Sequence, residues 1–207
     1  MTENEAMRDS GVEWIGAIPA AWHIERIKDV IPSILGGATP SSSNGDFWDE
    51  GDISWITPTD FQKYKNIDVI DNSIRKITFA GLQSCSSTLL PPGTVIMASR
   101  ATIGIAKISG IELCTNQGFI SFVCNRGINN KFFFYCINAY LGHLFEGISV
   151  GTIFKEISRN TVKQHIAFPS LNIQQTIARQ LDERCGRLDA IIAIKQQQIK
   201  TLDSKYY

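Results

Sequence analysis

Apolar positions fall into short runs over most of the chain and into one long periodic stripe at its end. Residues 22–27, 53–56, 67–70, 94–98, 103–108, 118–123 and 162–168 are apolar or β-branched runs bounded by Gly, Pro, Asn and Ser clusters, which predicts strands. The segment 14–19, with Trp14 and Pro19, predicts an aromatic-anchored entry to the first of them. Gly36 to Asp46 is rich in turn residues and predicts a long polar loop. Residues 78–82 predict a short capped helix. Residues 132–145 carry apolar side chains on most faces and predict a longer, largely buried one. The expected fold is a mixed α/β (α+β) globule over residues 1–168.

Residues 169–207 change character. Asn172 with Gln175 three positions on predicts a capping box, and the chain then runs without Pro and with a single Gly, Gly186. Ala178, Cys185, Ile192, Ile199 and Tyr206 share one heptad register; Leu181, Leu188 and Leu202 share the other, interrupted only by Lys195. This spacing predicts a coiled-coil helix of roughly 50 Å at ~1.5 Å per residue. A domain of this size has a radius of gyration of only ~15 Å, so most of the seam Leu181, Cys185, Leu188, Ile192, Ile199, Leu202 and Tyr206 calls for a partner helix.

Composition narrows the class. The 207 residues are 43% hydrophobic and 19% charged, which excludes disorder, collagen or a rod as the whole chain. No apolar run approaches a membrane span, and residues 1–9 carry three acidic side chains where a secretory signal has an apolar core. The five cysteines form no CxxC pair and read as reduced, buried thiols of an intracellular protein; His23, His143 and His165 lack ligand spacing, so no metal site is expected. The 20 basic and 20 acidic residues cancel, but not locally. Residues 1–54 hold three basic against ten acidic side chains, 55–165 eleven against six, and 166–207 six against four. The basic middle permits a phosphate-facing surface.

Catalytic patterns are missing. There is no GxxxxGK[ST] loop, no GxGxxG opening a helix and no GxSxG elbow. Leu90-Pro91-Pro92-Gly93 lacks the acidic or amide residue and the aromatic that an adenine amino-methyltransferase places around its prolines, and reads as a turn. No catalytic residue is assigned; the expected role is binding.

The ordered segments Asp9-Ser10-Gly11-Val12-Glu13-Trp14-Ile15-Gly16, Gly36-Gly37-Ala38-Thr39-Pro40, Phe47-Trp48, Gly51-Asp52-Ile53-Ser54-Trp55-Ile56 with Asp60, Leu90-Pro91-Pro92-Gly93-Thr94-Val95, Ala101-Thr102-Ile103-Gly104, Thr115-Asn116-Gln117-Gly118-Phe119 and Gln174-Gln175-Thr176-Ile177-Ala178 form a pattern. It resembles the specificity subunit of type I restriction–modification enzymes. The resemblance implies a target recognition domain that reads half of a bipartite site in double-stranded DNA, followed by a spacer helix. It also implies partners: modification (methyltransferase) subunits and a restriction (motor–nuclease) subunit, which would hold S-adenosylmethionine, ATP and Mg²⁺, none of them bound by this chain. The setting it implies is a bacterial or archaeal cytoplasm. Family members carry two recognition domains and two helices; this chain has one of each, so the second half is expected in cis or as a homodimer partner.

Loops are the natural readers. The candidates are Thr39, Ser41, Ser42, Ser43 and Asn44 in the polar loop, Lys63, Lys65, Arg75 and Lys76 in the first basic stretch, and Ser99 and Arg100 after a strand. Asn116 and Gln117 lie in the family-like motif, and Lys155 and Arg159 follow a glycine-flanked turn. Two other readings stand beside this one: the recognition domain of a DNA adenine methyltransferase, and a coiled-coil adaptor with no nucleic-acid role.

Overall fold

The computed structural model describes residues 6–100, 102–148, 157 and 164–206, with side chains of the last helix to residue 202. The strands are β1 (Met7–Asp9), β2 (Ala17–Pro19), β3 (His23–Arg26), β4 (Ser33–Gly36), β5 (Ile53–Ile56), β6 (Val69–Ile70), β7 (Arg75–Ile77), β8 (Val95–Ala98), β9 (Ala106–Ser109), β10 (Cys114–Thr115), β11 (Phe119–Val123) and β12 (His165–Phe168). The helices are α1 (Ile27–Val30), α2 (Pro58–Lys63), α3 (Phe79–Gln83), α4 (Asn130–Cys136), α5 (Gly142–Gly147) and α6 (Leu171–Tyr206). A π-helical turn, Ile137–Leu141, joins α4 to α5, so the single helix expected over 132–145 is continuous but widened in its middle. A mixed α/β globule followed by a long C-terminal helix is what the sequence predicts.

Five strands form the central sheet in the order β4-β11-β8-β9-β6, antiparallel except for β9-β6. Alternation along β8 places Val95 and Met97 in one core and Ile96 and Ala98 in another. The first core fills the space between the sheet and the α4–α5 helix, and also takes in Ile27, Ile166, Phe168 and Ala178. The second lies on the opposite face, between the sheet and Ile56 and Phe61 of β5 and α2. A smaller sheet, β10-β5-β7, and two hairpin-like pairs, β1-β2 and β12-β3, complete the globule.

Polar side chains fix the connections, Asp60 and Lys107 from buried positions and Asn138 from the surface. Asp60 caps α2 by accepting from the Thr57 N–H at 2.8 Å and the Thr57 hydroxyl at 2.6 Å, and its other oxygen accepts from the Ile74 N–H at 2.6 Å. Lys107 points from β9 into the second core and donates to the Tyr64 carbonyl at 2.7 Å and to that of Ile67, closing the far end of α2. Burial lowers its pKa from the ordinary lysine value, against the opposing pull of Asp68. The π turn aims Asn138 at Ala106: its amide oxygen accepts from the Ala106 N–H at 3.0 Å and its nitrogen donates to the Ala106 carbonyl at 3.3 Å. Residues 103–105, expected in a strand, instead form a turn with Gly104 at φ 86°, where an added Cβ would fall 2.3 Å from Gly142 Cα.

The terminal helix is rooted in the globule by its first four turns. It begins at Leu171, and Ser170 supplies the first carbonyl, accepting from the Ile173 and Gln174 N–H groups; Asn172 thus lies inside the helix, two residues past the start, and does not form the expected box with Gln175. Gln174, not Gln175, does the anchoring. It is buried, accepts from the Asn129 N–H at 2.9 Å and donates to the Pro169 carbonyl at 2.9 Å and the Gly127 carbonyl at 3.3 Å. Asp182 then accepts from Lys131 Nζ at 2.5 Å and from the Tyr135 hydroxyl at 2.7 Å. Leu181 and Cys185 are half-buried beside this root. Beyond it Leu188, Ile192, Ile199 and Leu202 are 59%, 52%, 58% and 55% exposed, and Ile191 adjoins them. From Gly186 to Tyr206 the helix extends about 30 Å at ~1.5 Å per residue. No helix among the described residues is long and apolar enough to cross a membrane.

Replacing Gln174 with Ala leaves the Asn129 N–H and two carbonyls without their partner. The expected cost is about 1–3 kcal/mol, read as a lower urea midpoint for the globule; an unchanged midpoint would show that water replaces the amide there.

Candidate nucleic-acid interface

Seven of the sequence-predicted residues converge where the polar loop meets the turn after β10. Gly37 makes the approach possible: an added Cβ would lie 2.1 Å from the Thr115 carbonyl oxygen and 2.3 Å from that of Asn116. The Ala38 N–H donates to the same Thr115 carbonyl at 3.0 Å, and the Ser87 hydroxyl donates to it from the other side at 3.1 Å. On this base the Thr39 hydroxyl donates to the Gln117 amide oxygen at 2.6 Å, joining two loops 78 positions apart.

Two tryptophans stake the loop from below. Trp55 Nε1 donates to the Ala38 carbonyl at 3.0 Å and Trp48 Nε1 to the Ser41 carbonyl at 2.9 Å, while the rings meet edge to face at 5.0 Å. Arg75 lies directly across the β5-β7 ladder from Trp55. Its guanidinium stacks 3.9 Å from the Trp48 ring and 5.3 Å from that of Trp55, a cation–π arrangement that holds a fixed charge beside the loop. The flanking Lys76 is exposed, as are Ser41, Ser42 and Ser43; the Ser41 and Ser43 hydroxyls are 2.9 Å apart.

Other candidates have different duties. Asn44 caps the following 3-10 turn by accepting from the Asp46 N–H at 3.1 Å. Asn116 is committed in the same way, accepting from the Gly118 N–H at 2.9 Å while its own N–H donates to the Ile56 carbonyl at 3.0 Å. Ser99 corrects the sequence expectation. It is 2% exposed, and its backbone is bonded to Gly118 and Ile157, so it supports the turn from inside and has no surface to offer. Arg100, next to it, is exposed. Lys63 and Lys65 are exposed, the first ending α2 and the second following its C-cap, and neither is bonded to the loop cluster. Lys155 and Arg159 lie outside the described residues, as does the side chain of Tyr206.

The shoulder of the site is acidic. Asp46, Asp49, Glu50 and Asp52 are all exposed on the 3-10 turn and the chain after it. Near the loops a polyanion is therefore favoured from the side of Arg75 and Lys76. Among the described residues no group of His, Cys, Asp and Glu could hold a metal ion. The cysteines are unpaired, and burial raises the Cys114, Cys124 and Cys136 thiols to about 12. These three thiols are held in the neutral form by their packing.

Sequence reasoning placed the loops but missed their supports, Trp48, Trp55 and Gly37. The signal was present: a Trp inside a polar, Gly-bounded segment carries an N–H that must find an acceptor when the ring is buried.

Comparison with known proteins converges on one family. Residues 19–204 match the model of the type I restriction modification DNA specificity domain. The chain is 36% identical over 191 residues to the type I restriction enzyme MjaIX specificity subunit of Methanocaldococcus jannaschii, covering 91% of this chain and 43% of that one. It is 25% identical over 155 residues to the type I restriction enzyme EcoR124I/EcoR124II specificity subunit of Escherichia coli, covering 72% and 37%. The crystal structure of an HsdS subunit from Thermoanaerobacter tengcongensis superposes with a TM-score of 0.64 at 18% identity, over 89% of this chain and 41% of that one. A chain from a structure described as the basis of complex assembly and conformational transition of the type I R-M system gives 0.66 at 19%, over 89% and 42%. The chain thus spans less than half the length of the relatives it matches.

Replacing Trp55 with Phe keeps the ring but removes the N–H that holds the Ala38 carbonyl. Amide hydrogen exchange over residues 38–44 should then accelerate, with a global loss of about 0.5–1.5 kcal/mol. Unchanged protection in that segment would mean that the indole does not hold the loop.

Proposed function

The chain belongs to the type I restriction modification DNA specificity family, and we propose that it reads one half of a bipartite double-stranded DNA site on behalf of partner subunits. Its globule, residues 1–168, is the reading unit in this proposal. The loop cluster Thr39, Ser41, Ser42, Ser43, Arg75, Lys76, Arg100 and Gln117 meets the duplex, the cations on phosphates and the polar side chains at base edges. Lys63, Lys65, Lys155 and Arg159 are secondary phosphate contacts along the same basic stretch. Methyl transfer and cleavage belong to modification and restriction subunits, which bind S-adenosylmethionine, ATP and Mg²⁺.

The observation that carries this reading is the placement of two open surfaces at opposite ends of the central sheet. A polar loop cluster lies where β4 and β8 end and β11 begins, and an apolar helical stripe, rooted against Gly127 and Asn129 past the other end of β11 and then bare, leaves from there. A reader and a ruler, so arranged, require a second rod along Leu188, Ile192, Ile199 and Leu202, supplied by the remainder of a longer subunit or by a second copy. Rod length then sets the spacing between the half-sites.

Gel-shift titration with mixed-sequence duplex at 20–200 mM salt tests the DNA arm, with these salt limits serving as approximate working values. Binding should weaken steeply with salt, and Arg75→Ala or Lys76→Ala should each reduce the slope of log K against log salt by about one. A non-DNA adaptor would give no shift at any salt. Incubation with labelled S-adenosylmethionine and DNA should transfer no methyl group; transfer would reveal a catalytic centre and overturn the division of labour. Leu188→Glu with Ile192→Glu should leave a folded monomer by light scattering wherever the wild-type chain self-associates. A dimer that survives these changes would place its interface elsewhere.

A further inference from the structure

One side chain of the loop cluster has the hydrogen-bonding pattern to discriminate a base, a role that rests on the DNA-reading function proposed for the globule. The cluster contains three amides. Asn44 and Asn116 are half-buried, and each is turned toward its own backbone, accepting from the N–H groups of Asp46 and Gly118. Gln117 alone is exposed and is oriented by a side chain, the Thr39 hydroxyl at 2.6 Å. That bond uses one of the two lone pairs on the Gln117 amide oxygen. Among the described residues nothing else bonds to this side chain, so both Nε2 protons and the second oxygen lone pair remain for a ligand.

We infer that Gln117 is a base-discriminating residue selective for adenine, with Thr39 as its positioning residue. A donor and an acceptor side by side in one plane match the N7 acceptor and N6 amino donor that adenine presents in the major groove. Guanine offers two acceptors there and would face the amide oxygen with O6. Cytosine offers only its amino donor, and thymine an acceptor beside a methyl group. The seryl hydroxyls of the loop rotate freely between donating and accepting and so do not select. Both ends of the Thr39–Gln117 pair rest on fixed backbone. Ala38 is held by Thr115 and by the Trp55 indole, and Asn116 is held by Ile56, so the Thr39 hydroxyl holds the Gln117 amide oxygen in place before any base arrives. Such preorganisation is what bidentate recognition needs.

Selection from a randomised duplex pool at low salt, with sequencing of the bound fraction, tests this with the chain and four variants. The wild-type chain should enrich a motif with at least one adenine-selective position. Gln117→Ala should lose that preference by about 5-fold to 150-fold, the range for one bidentate base contact, while the other positions stay. Gln117→Glu, which only accepts, should turn the same position toward cytosine. Thr39→Val should relax it, and Thr39→Ser, which keeps the hydroxyl, should retain it. A motif that is identical in Gln117→Ala and Gln117→Glu overturns the assignment of Gln117 and leaves the DNA-reading proposal standing. A wild-type chain that enriches no motif overturns both.

Discussion

Strand β8 is buried on both of its faces, and the arrangement of every other part follows from that burial. Val95 and Met97 commit the sheet to the helical layer, while Ile96 and Ala98 commit it to β5 and α2. Close-packed interiors transmit displacement and do not absorb it. The terminal helix enters the first core through Ala178, whereas the polar loops leave from the ends of β4 and β10. A shift of the rod is thus resisted by a single incompressible slab between it and the loops. A sheet with one wet face would let the two move independently.

The connections owe their order to polar groups placed inside the globule. Asp60, Lys107 and Gln174 are buried, and each satisfies two or three backbone or hydroxyl groups that a connection would otherwise leave open. An unmet donor or acceptor in the interior costs about 1–3 kcal/mol, so each of these side chains forbids alternative courses of its loop as well as stabilising the observed one. The two indole N–H groups under residues 38–41 extend the same device to the surface.

This division also explains what was legible in the sequence. Strands β5, β8, β11 and β12 and the capped turn at Thr78 follow from runs of β-branched and aromatic residues and from local capping chemistry, so the order of residues alone reveals them. The two-residue strands β6 and β10 and the edge strand β7 carry too little pattern; Arg75 and Lys76 lie in a strand only because Trp55 and Ser54 pair with them. The rod was legible from its heptads, but its root was not. Gln174 and Gln175 are equivalent until the Gly127–Asn129 turn is placed against one of them. The same holds at the site. Thr39 and Gln117 were each visible as candidates, but nothing local joins residues 78 positions apart, and Ser99 looks as accessible as Arg100 until the 116–118 turn covers it.

The charge distribution bears on why a rod accompanies a reader at all. Non-specific attraction to DNA scales with the number of phosphates neutralised, and this chain has no net charge, with Asp46, Asp49, Glu50 and Asp52 set beside its loops. In the proposed role one globule holds the backbone through a limited set of cations such as Arg75 and Lys76 and reads sequence through directional contacts around Gln117. Two globules on a paired rod escape that limit, because the second encounter becomes intramolecular at an effective concentration in the millimolar range or above. Stiffness adds selectivity: a rigid rod of fixed length raises the effective concentration only at one spacing and lowers it at all others. Within that proposed role the acidic shoulder opposes a lone globule settling on arbitrary duplex, which leaves the paired arrangement as the one that gains occupancy.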